Sequence, residues 1–232
     1  MLDPVQDNSD ITLVVMDMAG TTVADDGAVI RAFDTAATAV GLPGTGPERD
    51  AARKYVLDTM GQSKIAVFGT LFGSGERAAQ ANAAFETAYE RYVDEGGIAP
   101  IPGAEKAITQ LREAGIKVAL TTGFSPATQR RILAALDWTD IADLVLAPAD
   151  AGRGRPYPDL VLTALLRAGA DDVRHIAVIG DTSSDITSGL RAGAAIVAGT
   201  RTGAHDAATL RAAGATHVLD SVADLPALLL SA

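Results

Sequence analysis

Cysteine is absent from the 232-residue chain, which excludes disulfides, thiolate metal sites and a cysteine nucleophile. Histidine is scarce: His175, His205 and His217 all fall late, and none neighbours a serine in a nucleophile-elbow pattern, so a Ser/His/Asp hydrolase is not expected. Surface loops or strand edges are the expected places for all three. Basic residues number 19 against 29 acidic, a formal charge of −10 with no basic run, which argues against nucleic-acid binding. An anionic substrate then needs local cations. No uninterrupted apolar run approaches a membrane span, and the N-terminal MLDPVQDNSD is acidic and polar where a signal peptide is basic and then apolar. The expected location is the cytoplasm, without a membrane partner. Lysine occurs only four times, at 54, 64, 106 and 117.

The 48% hydrophobic content suits one good core plus a second small domain. Residues 11–23, ITLVVMDMAGTTV, read as a buried parallel strand: the apolar run Leu13, Val14, Val15, Met16 ends in Asp17 and empties into a Gly-Thr-Thr loop. Ligands of open α/β sheets bind beyond the carboxyl ends of the strands, so Asp17 faces a crevice. Taken alone, it could equally be a turn residue or helix N-cap.

From residue 28 to 94 only helical spacing follows: Ile30, Phe33, Ala37 and Val40 before Gly41, then residues 51–60, 65–72 and 76–93. The flanks, ADDG at 24–27 and EGGIAPIPG at 95–103, are rich in Gly, Pro and acids and suit hinge strands. From Ala104 a βα alternation is expected: strands at 117–122, 144–147, 176–180, 195–197 and 217–219, with helices between them. The predicted fold is α/β, a doubly wound parallel sheet with an inserted all-helical cap. The expected division is a core of residues 1–23 and 99–232 and a cap of 24–98.

Four strand ends then carry polar groups: Asp17 with Thr21, Thr122 with Gly123, Arg155 in GRPYP, and Asp181 with Asp185 in GDTSSD. Carboxylates at 17, 181 and 185 suit a hard, oxygen-loving cation such as Mg²⁺. A threonine hydroxyl, backbone N–H groups and a guanidinium suit phosphoryl oxygens.

In the order and spacing of these motifs, and in the helical insert after the first, the chain resembles the haloacid dehalogenase superfamily over its whole length. The resemblance implies that Asp17 attacks phosphorus to give an aspartyl-phosphate. It also implies that Asp17, Asp181 and the Ala19 carbonyl hold Mg²⁺ with Asp185 in support, and that Thr122 and Arg155 bind phosphoryl oxygens, with Thr21 and Gly123 beside them. Superfamily phosphatases place a general acid two residues after the nucleophile. Here that position is Ala19, and a general acid is worth ~10²–10⁴-fold.

Within the superfamily the chain is similar to the phosphonatase (phosphonoacetaldehyde hydrolase) subgroup, which shares DxAGTTV at 17–23, the arginine of GRPYP, GDTxSD at 180–185, and a cap MGxxK string met by Met60, Gly61 and Lys64. That resemblance implies a Schiff base between Lys64 and a substrate aldehyde, whose iminium lets the C–P bond break. Two subgroup positions differ: a cap histidine is Val67 here, and a tyrosine beside the Thr motif is Phe124. Lys64 is therefore either the Schiff-base residue or a contact to substrate anion. The expected partner is a small phosphonate or phosphate, with a homodimer left open. The alternatives are a phosphoglycolate phosphatase-like phosphomonoesterase and, from another class, a receiver-type phospho-acceptor domain, which has no helical insert and is about half this length.

Overall fold

The computed structural model describes residues 11–73 and 75–231. The acidic N-terminal segment, on which the cytoplasmic expectation rests, lies outside the described residues. Strand β1 (Leu13–Asp17) is buried along its whole length. Val14 and Met16 enter one hydrophobic cluster, Leu13 and Val15 another. Side chains alternate across a strand, so only a run apolar at every position can be covered on both faces.

After β1 the chain leaves the main sheet through β2 (Val23–Ala24), forms α1 (Ala28–Ala39), α2 (Pro47–Asp58), α3 (Lys64–Phe72) and α4 (Glu76–Asp94), and returns through β3 (Ala99–Pro100). β2 and β3 pair antiparallel, Val23 opposite Pro100 and Ala24 opposite Ala99. The two linkers thus run side by side as one short ribbon. The helices between them close on an aromatic row. Phe68 lies 6.4 Å from Phe33, 6.1 Å from Phe72 and 5.7 Å from Phe85, and Phe85 lies 6.1 Å from Tyr89, measured between ring centroids. These distances suit stacked and edge-on pairs.

The alternation then resumes: α5 (Ala104–Glu113), β4 (Lys117–Thr121), α6 (Pro126–Ala135), β5 (Leu144–Leu146), α7 (Pro148–Ala151), α8 (Asp159–Ala168), β6 (Ile176–Gly180), α9 (Ser183–Ala192), β7 (Ile196–Thr200), α10 (Ala207–Ala212), β8 (His217–Leu219) and α11 (Leu225–Leu230). The six long-sheet strands are parallel, in the order β5-β4-β1-β6-β7-β8. The chain winds outward from β1 on one side, then on the other, which puts the switch in strand order at Asp17. The expected α/β architecture with a helical insert is the one observed.

Local differences have local causes. β4 stops at Thr121, paired with Asp17, so Thr122 belongs to the loop beyond. α2 begins at Pro47 rather than residue 51, because proline is well placed in the first turn of a helix. β7 reaches Thr200, past the expected end at 197. Its Ala198 and Gly199 lack the bulk that marks a strand, and a Cβ on Gly199 would sit 2.9 Å from Leu210. The short α7 was not expected at all.

Candidate active site

Asp17 closes β1 with 6% of its surface exposed, and the loop behind it is a tight hydrogen-bonded turn. The N–H groups of Thr21, Thr22 and Val23 all reach the Met18 carbonyl, at 3.1, 2.8 and 2.8 Å, and the Thr22 hydroxyl donates to the Asp17 carbonyl at 3.0 Å. The carboxylate is left to face across the strand ends.

There it meets Arg155, itself buried. Its Nη1 donates to Asp17 Oδ1 at 2.5 Å and lies 2.9 Å from Asp185 Oδ1, while Nη2 donates to Thr121 Oγ1 at 2.7 Å. Asp185 is also held by Thr182, whose N–H donates to Oδ2 at 3.1 Å as the capping box of α9. Asp181 accepts from the Thr21 hydroxyl at 3.3 Å and from the Ala204 N–H at 2.7 Å.

Two buried carboxylates, Asp17 and Asp185, thus share one guanidinium, with a third buried carboxylate, Asp181, in the same cluster. Burial raises Asp17 from 3.8 to about 7 against the pull of Arg155, with Asp185 adding to the rise. Burial likewise lifts Asp181 well above the carboxylate range, and Asp17 and Asp185 push further. Burial opposes the charge of Arg155, yet Asp185 and Asp17 outweigh it. Such an excess of buried negative charge is costly unless a cation joins it. Among the described residues no three His, Asp or Glu side chains converge as a finished metal cage, and Asp185 is turned to Arg155 and Thr182. Mg²⁺, however, needs only one or two carboxylates beside waters and phosphate oxygens. Asp17 and Asp181, with the Ala19 backbone beside them in the cavity wall, supply that donor set.

A cavity of about 320 Å³ opens over Asp17 and Asp181. The helical insert roofs it with Met60, Gly61 and Lys64, and the core contributes Ala19, Thr122, Gly123 and Phe124. Three residues expected at the site stand outside this lining: Thr21, turned to Asp181, and Arg155 and Asp185, which sit behind Asp17. The Thr122 hydroxyl accepts from the Phe124 N–H at 3.2 Å, which tightens the loop after β4.

Lys64 begins α3, and its amine lies over ring faces, 5.3 Å from the Phe124 centroid and 5.9 Å from that of Phe85. It has no ion pair. Burial lowers it from 10.5 to about 8, although Asp17 pulls the other way. The positive end of the α3 dipole disfavours the ammonium as well. Val67 and Phe124, the two apolar replacements, are both buried.

The loop that carries Lys64 is sewn to the core by backbone. The Lys64 N–H donates to the Gly123 carbonyl at 3.2 Å and Arg155 Nη1 reaches the Gly61 carbonyl at 3.3 Å. A Cβ on Gly123 would lie 2.4 Å from the Gln62 carbonyl oxygen, and one on Gly61 2.5 Å from Thr182 Oγ1. Only glycine permits this approach. Gly123→Ala should therefore push the two loops apart, displace Lys64 and lower turnover by about 10²-fold, the scale for an ångström's misplacement, with far-UV circular dichroism still that of the folded protein. Wild-type kinetics in that variant would refute the seam's importance.

Several residues at the site were not anticipated. Asp25 in the cavity wall belongs in sequence to the ADDG linker composition, and Tyr89 to the helical segment 76–93. His205 does lie on a loop, but it works there. Its Nδ1 accepts from the Ser183 N–H at 2.9 Å, so Nε2 carries the proton toward the Leu57 carbonyl of the insert, 3.4 Å away. No local sequence signal marks contacts between positions so far apart.

A family model described as a haloacid dehalogenase-like hydrolase matches residues 11–193. The chain belongs to that family. It is 31% identical to a phosphonoacetaldehyde hydrolase of Salmonella typhi, with 93% of each chain covered. It is 26% identical to a probable phosphatase, IndB, of Dickeya dadantii, over 92% of this chain and 91% of that one. The chain spans about half the length (55%) of a Bordetella pertussis phosphonoacetaldehyde hydrolase that it matches at 33% identity over 56% of its own residues. A phosphonoacetaldehyde hydrolase-like protein of Oleispira antarctica shares the fold, with a TM-score of 0.82 at 24% identity over 99% of this chain and 95% of the other. No described helix is long and apolar enough to cross a membrane.

Proposed function

We propose that this hydrolase cleaves the C–P bond of phosphonoacetaldehyde or a close relative, with residues 24–98 closing over the core as a cap. The carrying observation is the Lys64 amine, set in the same cavity as Asp17 against the ring faces of Phe85 and Phe124. Mg²⁺, held by Asp17, Asp181 and the Ala19 carbonyl, would supply charge neutralisation at the phosphoryl oxygens. Lys64 condenses with the aldehyde, giving an iminium and water. The Asp17 carboxylate attacks phosphorus, the C–P bond breaks, and its electron pair flows into the iminium to leave an enamine. Water then hydrolyses the aspartyl-phosphate, and protonation and hydrolysis of the enamine free acetaldehyde and Lys64. Arg155 holds Asp17 in line, and Thr122 and Gly123 bind phosphoryl oxygens. Ala19 fits this chemistry, because a carbon leaving group drained by an iminium needs no acid at that place.

The buried Val67 and Phe124 favour a second reading, a phosphomonoesterase for which Lys64 is an anion contact. Borohydride trapping separates the two. With phosphonoacetaldehyde, wild-type protein should be inactivated and carry one modified peptide, containing Lys64, while phosphate release from a panel of phosphomonoesters stays weak. An unmodified protein that hydrolyses phosphoglycolate well would establish the phosphomonoesterase instead.

A further inference from the structure

Asp25 of the cavity wall and its hydrogen-bond partner Tyr89 take no part in the scheme above. Asp25 follows β2 at the hinge, and its Oδ1 accepts from the Gly27 N–H at 3.1 Å while Oδ2 accepts from the Tyr89 hydroxyl at 3.1 Å. The carboxylate so held lines the same cavity as Lys64. Tyr89 is fully buried on α4, with its ring 4.5 Å from Phe124, the ring over which the Lys64 amine lies. One aromatic wall therefore carries the amine and, next to it, the phenol that fixes Asp25. Burial first, then Asp25, keeps the Tyr89 hydroxyl well above its ordinary range, so it stays a donor. Asp25 is also among the charges that favour the Lys64 ammonium.

Imine formation needs a proton carrier. Of the three hydrogens on an ammonium, one goes to solvent, one stays on the iminium nitrogen and one leaves with the carbonyl oxygen, whose second proton comes from solvent. Val67 and Phe124 cannot move them, and Asp17 and Asp181 serve the phosphoryl end. Asp26 reaches the same cavity, but it is exposed and, among the described residues, no donor holds its carboxylate.

We infer that Asp25, positioned by Tyr89, carries protons between Lys64 and the substrate oxygen during imine formation; the inference rests on the imine reading. The amine, its first proton lost to solvent, attacks: its lone pair forms the C–N bond and the C=O pair moves to oxygen. Asp25 takes a proton from the nitrogen and delivers it to that oxygen. A second proton, drawn from solvent through Asp25, goes to the hydroxyl, which departs as water as the nitrogen pair closes the C=N bond. Asp25 ends as it began.

The test compares wild type, Asp25→Asn, Asp25→Glu and Tyr89→Phe, all with Mg²⁺, in single turnovers with phosphonoacetaldehyde and borohydride. Mass spectrometry follows the Lys64 adduct. Inhibition by methylphosphonate, which has the phosphonate but no aldehyde, reports on the other end of the cavity. Adduct formation should slow by ~10²–10⁴-fold in Asp25→Asn, the worth of a general acid–base, and roughly tenfold in Tyr89→Phe, the worth of one hydrogen bond. Asp25→Glu should recover much of the rate, and methylphosphonate inhibition should hold throughout. Wild-type adduct rates in Asp25→Asn or in Tyr89→Phe overturn the inference and leave the imine reading standing. An equal loss of methylphosphonate binding overturns it too, since the role would then be structural. No adduct in wild type overturns both. Tyr89→Phe keeps the ring in place, so the test survives if Asp25→Asn fails to fold.

Discussion

Asp17→Asn should lower phosphate release by on the order of 10⁴–10⁶-fold, the range seen when a nucleophile is removed, while the protein stays folded. An amide oxygen is a poor nucleophile toward phosphorus, and no neighbour can substitute. Asp185 is committed to Arg155 and Thr182, and Asp181 to Thr21 and Ala204. Folding is spared because asparagine fills the same space and relieves one of three crowded carboxylates. The change is not free, since Arg155 loses its 2.5 Å partner, but Asp185 and Thr121 still hold the guanidinium. The measurements are phosphate release and far-UV circular dichroism. Retention of more than a small fraction of turnover, on any substrate the wild type accepts, would remove Asp17 from the nucleophile's place.

The parts legible in the sequence were those written in consecutive residues. The run ending at Asp17 reads as a strand covered on both faces, because it is too short for a buried helix and empties at once into a Gly-Thr-Thr loop. The Thr182–Asp185 spacing is a capping box, so α9 declares its own start. Contacts between distant segments were not legible. The 62–123 approach depends on two short glycine-containing loops, TMGQS at 59–63 and TGFS at 122–125, whose local pattern suits a solvent turn as well. The Asp25–Tyr89 hydrogen bond joins residues 64 positions apart, one in a linker and the other on a helix face that periodicity marks simply as apolar. Arg155 was expected to meet phosphate. In the structure it reaches Asp17, Asp185, Thr121 and the Gly61 carbonyl, so it also ties the insert to the core.

Lys64→Arg should abolish hydrolysis of phosphonoacetaldehyde, with a loss of ~10⁴-fold or more, although it keeps the positive charge. A guanidinium has no free amine to condense with a carbonyl, so the carbanion would leave without an electron sink. The pH dependence makes the argument independent of the variant. An amine attacks only when unprotonated, and at pH 7 an ordinary lysine is free in roughly one molecule of a few thousand. Burial brings Lys64 down to about 8, where roughly one in ten is free at pH 7. Because the folded value is the lower one, the reactive fraction is already large at neutral pH. The adduct rate should climb about tenfold per pH unit below 8 and level off above it, whereas an exposed lysine would keep climbing past 10. Asp17, Asp25 and Asp181 favour the charge of the amine, while Arg155 opposes it. The plateau should therefore move down in Asp25→Asn even as the adduct rate falls. A rate that keeps rising to pH 10, or an arginine variant still active on the aldehyde, would return Lys64 to the role of an anion contact.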